Sequence, residues 1–334
     1  MIPRGARRTI AIVAALGWLA IVAPVFADTV PRADGGTIRL LYNIPGTNSF
    51  PPYVIQKYAL DKKHGFTLEA IPTANTQSAV IAMQSGGAEI ALFGWNDIAR
   101  IRSAGVKIVG IAPFLAFGVD FIVVPTDSPI KDFGDLKGKK IGVSGITAIN
   151  TIAMAALAKS KYHFDLAKDA TLQAGAPALL QGLLEQGQVD ASGIFNSVAP
   201  SMVATGKFRI LTNIKGITEQ LGLPDTPYLL YVADTDYAAA HPDNVKAFVA
   251  AYRDSVQVLE TDDAPWLDHG KELQMSPEVV ALFSAEARAD LRTTFAPNTE
   301  ADIRKTFDLL LATAGAEAMG MSALPSGFMT LDYQ

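Results

Sequence analysis

The chain contains no cysteine. That excludes disulfides, thiolate metal sites and a cysteine nucleophile, and with them the lipidated cysteine that tethers many exported proteins. Histidine is scarce: His64, His163, His241 and His269 are scattered without metal-ligand spacing, and each reads as a surface or helix-end residue. No G-x-S-x-G elbow, H-E-x-x-H pair or P-loop is present. Gly86-Gly87 precedes a strand rather than opening a helix, so it is no dinucleotide turn. An excess of positive charge is missing as well, with 28 Lys and Arg against 33 Asp and Glu. Such a balance argues against nucleic acid or an anionic membrane surface as partner. Past the first residues, no apolar run is long enough to cross a bilayer.

What is present begins with a leader. Arg4, Arg7 and Arg8 form a basic start, residues 10–25 are apolar, and Val25-Phe26-Ala27 has the small-residue ending of a cleavage site. Residues 1–27 are therefore expected to be a signal peptide cut after Ala27. Loss of the three arginines leaves 25 basic against 33 acidic residues, a balance of −8. The expected location is the periplasm.

The 334 residues, 49% hydrophobic and 18% charged, suit one large or two medium domains. From residue 37 to 113, short apolar runs alternate with helical patterns: strands at 37–42, 67–71 and 89–93, helices from Pro51, Gln77 and Asp97. The pattern restarts after a crossing near 117–124. A strand at 140–143 feeds a small polar turn and a helix opening near Thr147. Strands at 171–173, 189–194 and 208–211 follow, with helices at 178–186 and 197–204 between them. AMQSGGAEIALFGWNDIA (82–99) lies over GLLEQGQVDASGIFNSVA (182–199), so the second unit reads as a copy of the first. A second crossing is expected at 226–232. A helical tail follows, led by an amphipathic helix from His241-Pro242, and should pack on the first unit. The fold class is α/β, two mostly parallel sheets flanked by helices.

Ligands of open α/β sheets bind at the carboxyl ends of the strands. The first unit places Thr47, Asn48, Phe50, Asn75, Trp95, Asn96 and Asp97 there, and the second Ser144, Thr147, Phe195 and Asn196. An aromatic beside an asparagine in each half supplies an apolar wall and an amide that donates and accepts. Trp95 and Phe195 also fit as core residues, and Ser144, Thr147 or Asn96 as helix caps. None of these loops carries Lys or Arg, while Asp97 and Asp120 suit a cationic or hydrogen-bond-donating group. No catalytic residue, metal or cofactor is implied.

DSPIKDFGDLKGKKIGVS (127–144), GGAEIALFGWNDIA (86–99), LLEQGQVDA (183–191) and HPDNVKAFVAAY (241–252) resemble the substrate-binding proteins of ABC importers. The nearest group serves sulfonates, taurine, nitrate and thiamine-precursor pyrimidines. The resemblance implies a two-lobed periplasmic-binding-protein type II fold with two hinge crossings: 28–119 plus 228–334 as lobe I and 120–227 as lobe II. It implies a small-molecule ligand, an ABC permease with its ATPase as partner, and a monomer. By position, Ser144, Gly145 and Thr147 would hold the ligand's polar head. Trp95 and Asn96 would form the opposing wall, and the 47–50 loop and the Asn196 turn would complete the pocket. Enzymes of thiamine-pyrimidine or menaquinone synthesis resemble the same fold, and a periplasmic ligand sensor is a third reading.

Overall fold

The computed structural model describes residues 31–43, 46–117, 120–195 and 198–334. The leader, Asn196 and the Phe195 side chain lie outside the described residues. The first unit runs β1 (Thr37–Asn43), α1 (Phe50–Lys57), α2 (Leu60–Lys63), β2 (Thr67–Thr73), α3 (Thr76–Gln84), β3 (Ile90–Gly94), α4 (Trp95–Ser103) and β4 (Ile108–Ala116). The second runs β5 (Asp120–Pro125), β6 (Lys140–Val143), α5 (Ile149–Ser160), α6 (Leu166–Asp169), β7 (Thr171–Ala174), α7 (Pro177–Glu185), β8 (Ala191–Phe195), α8 (Ala199–Ala204), β9 (Phe208–Asn213) and α9 (Ile214–Gln220). The chain returns through β10 (Pro227–Asp234) into α10 (Thr235–Ala240), α11 (Pro242–Thr261), α12 (Ala264–Glu272), α13 (Pro277–Asp290) and α14 (Thr299–Met319).

Two five-stranded sheets result, ordered β2-β1-β3-β10-β4 and β7-β6-β8-β5-β9. The orders superpose element for element, with the strand that arrives from the other unit fourth in each. The duplication extends to single hydrogen bonds. Glu89, just before β3, accepts from the Arg39 amide of β1 at 2.8 Å, and Asp190, just before β8, accepts from the Lys140 amide of β6 at 2.8 Å. Both sheets are mixed. The β1–β2, β1–β3, β6–β7 and β6–β8 pairs are parallel, whereas β10 and β5 run antiparallel to both neighbours. What reads in sequence as a crossing is thus a full strand, buried on both sides: Leu230 to Ala233 in β10 and Phe121 to Val124 in β5 are each at most 2% exposed.

Period-two alternation divides the cores. Leu40 of β1 faces a cluster under α1, α11, α12 and α13, while its neighbour Leu41 faces one shared with Phe93 and Trp95. The apolar face of α11, Val245, Phe248, Val249, Tyr252, Val256 and Leu259, is buried as its spacing predicts. The tail departs from expectation at its end. α14 does not stay with the first unit: Phe307 meets Trp95 at 6.5 Å, while the helix packs along α5 of the second unit. It therefore braces both lobes, and it carries a break at Gly315, whose φ of 83° suits glycine.

Candidate functional site

β3 runs without a loop into α4, so Trp95 and Asn96 lie in the first helical turn rather than ahead of it. Trp95 is fully buried, its ring 6.4 Å from Phe117, and its Nε1 has no hydrogen-bond partner among the described residues. The Oδ1 of Asn96 is likewise buried and unpaired. Over this turn lies Tyr228, at the start of β10, its ring 4.9 Å from Phe117. Gly94 makes the approach possible, because a Cβ there would stand 2.8 Å from the Tyr228 ring and 2.6 Å from Asn96 Oδ1. Gly94 has ordinary extended dihedrals, so the demand is for space. Gly94→Ala is expected to lower stability by about 1–3 kcal/mol through overpacking, read by urea denaturation; an unchanged midpoint would show that Tyr228 moves aside freely.

On the opposite lobe, α5 begins at Ile149 with Ala148 as its cap residue, two residues later than expected, and no side chain caps it. The Gly145 carbonyl accepts from the Ala148 amide at 3.1 Å and from Thr151 Oγ1 at 2.7 Å, which folds the turn back on the helix. Ser144 and Thr147 are exposed on that turn. Beneath Ser144 lies a niche of about 10 Å³, lined among others by Asp120, Asn150, Thr151 and Gly193. Asn150 Nδ2 donates to Asp120 Oδ2, while Asp120 Oδ1 is buried without a partner among the described residues. Burial alone pushes the Asp120 carboxyl up to about 7.

Tyr228 ties the two sides together. Burial raises its hydroxyl well above the usual range, and the charges of Asp97 and Asp120 raise it further. Asp97 is itself raised by burial, an effect partly offset by its ion pair with Arg100. The junction thus holds two carboxyl groups, two amides, an indole and a phenol. Among these described residues the one basic group is Arg100, already paired to Asp97.

Other expected site residues stand elsewhere. Phe50 is fully buried against Trp266 at 4.6 Å and Phe283 at 5.3 Å, inside the lobe I core instead of on the rim. Asn75 caps α3, its Oδ1 accepting from the Ser78 amide at 2.9 Å. Thr47 is buried and Asn48 half-buried in the turn after β1. Phe195 is placed by its backbone, which registers with Asp120 across β5 and β8. Tyr228 and Asn150 are the members that sequence reasoning missed. Their only signals are an aromatic at the start of a crossing and an amide one turn into α5.

Two of the histidines stand at helix ends as expected, yet both are engaged by other side chains. His64 is buried, with Nε2 2.7 Å from Asp254 and Nδ1 3.0 Å from the Pro31 carbonyl. His269 lies between Ser49 Oγ at 3.0 Å and Glu272 Oε2 at 2.9 Å, in the order of a hydrolase triad. Ser49, however, is 4% exposed and donates to the Gly46 carbonyl at 3.1 Å. Its oxygen has neither access to substrate nor a proton to pass to the imidazole, so the set anchors the turn after β1. An open groove of about 530 Å³ runs between α3 and α4, past Gln77, Val80 and the Asp97–Arg100 pair. Among the described residues no three metal-ligating side chains converge, and no helix is long and apolar enough to cross a membrane.

Residues 47–262 match the family described as NMT1/THI5 like. The chain belongs to that family. A candidate binding protein of Brucella abortus is 25% identical over 273 residues, covering 81% of this chain and 79% of its own length. Among solved structures, the alkanesulfonate-binding protein SsuA of Xanthomonas axonopodis pv. citri, bound to MOPS, superposes with a TM-score of 0.71 at 19% identity, over 88% of this chain and 98% of that one. The periplasmic aliphatic sulphonate binding protein SsuA of Escherichia coli gives 0.70 at 18%, over 89% and 96%. The periplasmic nitrate-binding protein NrtA of Synechocystis PCC 6803 gives 0.57 at 14%, over 74% and 69%. At these identities what is shared is the fold, that of the periplasmic binding proteins.

Proposed function

We propose that this protein is the solute-binding component of an ABC importer, exported to the periplasm after cleavage at Ala27. It takes a small organic solute, unaltered, into the gap between residues 28–119 with 228–334 and residues 120–227. It then presents that solute, as a monomer, to a permease and its ATPase. The observation that carries the reading is the set of unpaired polar atoms at the junction: Trp95 Nε1, Asn96 Oδ1 and Asp120 Oδ1. Each such atom costs about 1–3 kcal/mol when buried without a partner, a cost that a ligand spanning both sides removes. Trp95, Asn96, Ser144, Gly145 and Thr147 remain the proposed contacts, with Asp97, Asp120, Asn150 and Tyr228 added. Thr47, Asn48, Phe195 and Asn196 are kept as further proposed contacts.

The named roles of the fold neighbours support binding without turnover. The test is a thermal-shift screen of sulfonates, nitrate, pyrimidines, aromatic acids and amines, followed by mass spectrometry of the bound compound. A solute at about 100 times its dissociation constant adds roughly 2.7 kcal/mol. Its recovery unchanged is the expected result. Conversion of the bound compound would overturn the reading and favour an enzyme of the same fold.

A further inference from the structure

We infer that the niche beneath Ser144 is a receptor for a primary ammonium group, so that the solute is an organic amine anchored on Asp120. This rests on the solute-binding reading and deepens it. The niche has room for about 10 Å³, the space of one water-sized group. A primary ammonium is of that size and brings three donors. The polar groups around the niche offer acceptors from three elements: Asp120 Oδ1, which has no hydrogen-bond partner among the described residues, Ser144 Oγ and the side-chain oxygens of Asn150 and Thr151. Asn150 Nδ2 is already committed to the other carboxylate oxygen and holds Asp120 in place.

The remaining walls, Ile122, Val143, Met154 and Ile214, are apolar and limit the space to a head group without methyl substituents. Among the described residues no lysine, arginine or histidine lines the niche. A sulfonate or carboxylate placed there would meet the Asp120 carboxyl with no compensating cation. Just outside, Ile146 is 50% exposed on the same turn and offers apolar contact to the body of the amine.

The experiment uses the mature protein at about pH 8 and compares melting temperatures in about 100 mM methylammonium, tetramethylammonium and sodium chloride, with sodium methanesulfonate as a fourth arm. Methylammonium alone is expected to raise the melting temperature, by about 2 °C or more. Asp120→Asn should lose the shift. So should Ser144→Val, which narrows the mouth from an exposed turn and keeps the test open if the Asp120 variant does not fold. Equal shifts in methylammonium and tetramethylammonium, no shift in either, or a full shift in Ser144→Val would each overturn the inference. A shift with methanesulfonate in place of methylammonium overturns it too, yet leaves the solute-binding reading standing. Turnover of a bound compound does the reverse, removing the binding reading whichever cation the niche prefers.

Discussion

Asp120→Asn is expected to stabilise the ligand-free protein by up to about 4 kcal/mol at about pH 8, and by almost nothing near pH 4. The carboxyl has a folded value of about 7 against 3.8 for the free group. Between those values the folded chain binds a proton that the unfolded chain has released. Stability therefore falls as pH rises from about 4 to about 7, and the deficit is complete above that. The rise from 3.8 to about 7, worth about 1.4 kcal/mol for each tenfold change in proton affinity, sets the ceiling. Asparagine keeps an oxygen for Asn150 and carries no charge to desolvate, so it recovers the deficit only where the aspartate would be ionised. Urea denaturation of both proteins across the pH range, with equal m-values, measures it. A difference that does not change with pH would mean that Asp120 is ionised throughout, and that water or a cation reaches it in the folded state. The same variant should bind its solute less well. A gain in stability matched to a loss of affinity is the signature of a group retained for function.

The contrast between Asp120 and its surroundings shows what could be read along the chain. The strands outside the two crossings, the recurrence of the first unit in the second and the buried face of α11 all follow from local periodicity, and local periodicity survives folding. The polar turn at residues 144–147 was legible for the same reason, since a strand feeding a helix leaves few alternatives. Phe50 was not. It sits between a rim turn and a helix, and whether it faces solute or core is decided by Trp266 and Phe283, more than 200 positions later. Trp95 is sealed in the same way, by Phe307 from α14. Tyr228 escaped notice because a crossing was read as a connector, whereas the segment is a strand with both faces covered. Asn150 was hidden by the cap: with Ala148, not Thr147, opening α5, the amide comes round to face β5. Local signals thus place the rim, and distant segments decide which of its side chains are left for a ligand.

Trp95 separates those two roles, and its variants are expected to divide accordingly. Trp95→Ala removes a fully buried ring packed against Phe117 and Phe307. A loss of about 3–5 kcal/mol of stability should follow from the lost burial and the cavity left behind. Any fall in solute affinity in that variant would be uninterpretable by itself, because the junction between the lobes would have collapsed or loosened. Trp95→Phe keeps most of the apolar volume and deletes only the indole N–H, a donor that is buried and unpaired without solute. Removing an unsatisfied donor relieves its desolvation, so the loss of stability should be well below that of the alanine variant. If Nε1 finds its acceptor on the solute, the phenylalanine variant should bind about 1–1.5 kcal/mol more weakly while melting close to the parent. Equilibrium titration and denaturation on the same preparations separate the two quantities. Unchanged affinity in Trp95→Phe would assign the indole to packing alone and leave Asn96, Asp120 and Tyr228 as the groups that read the solute.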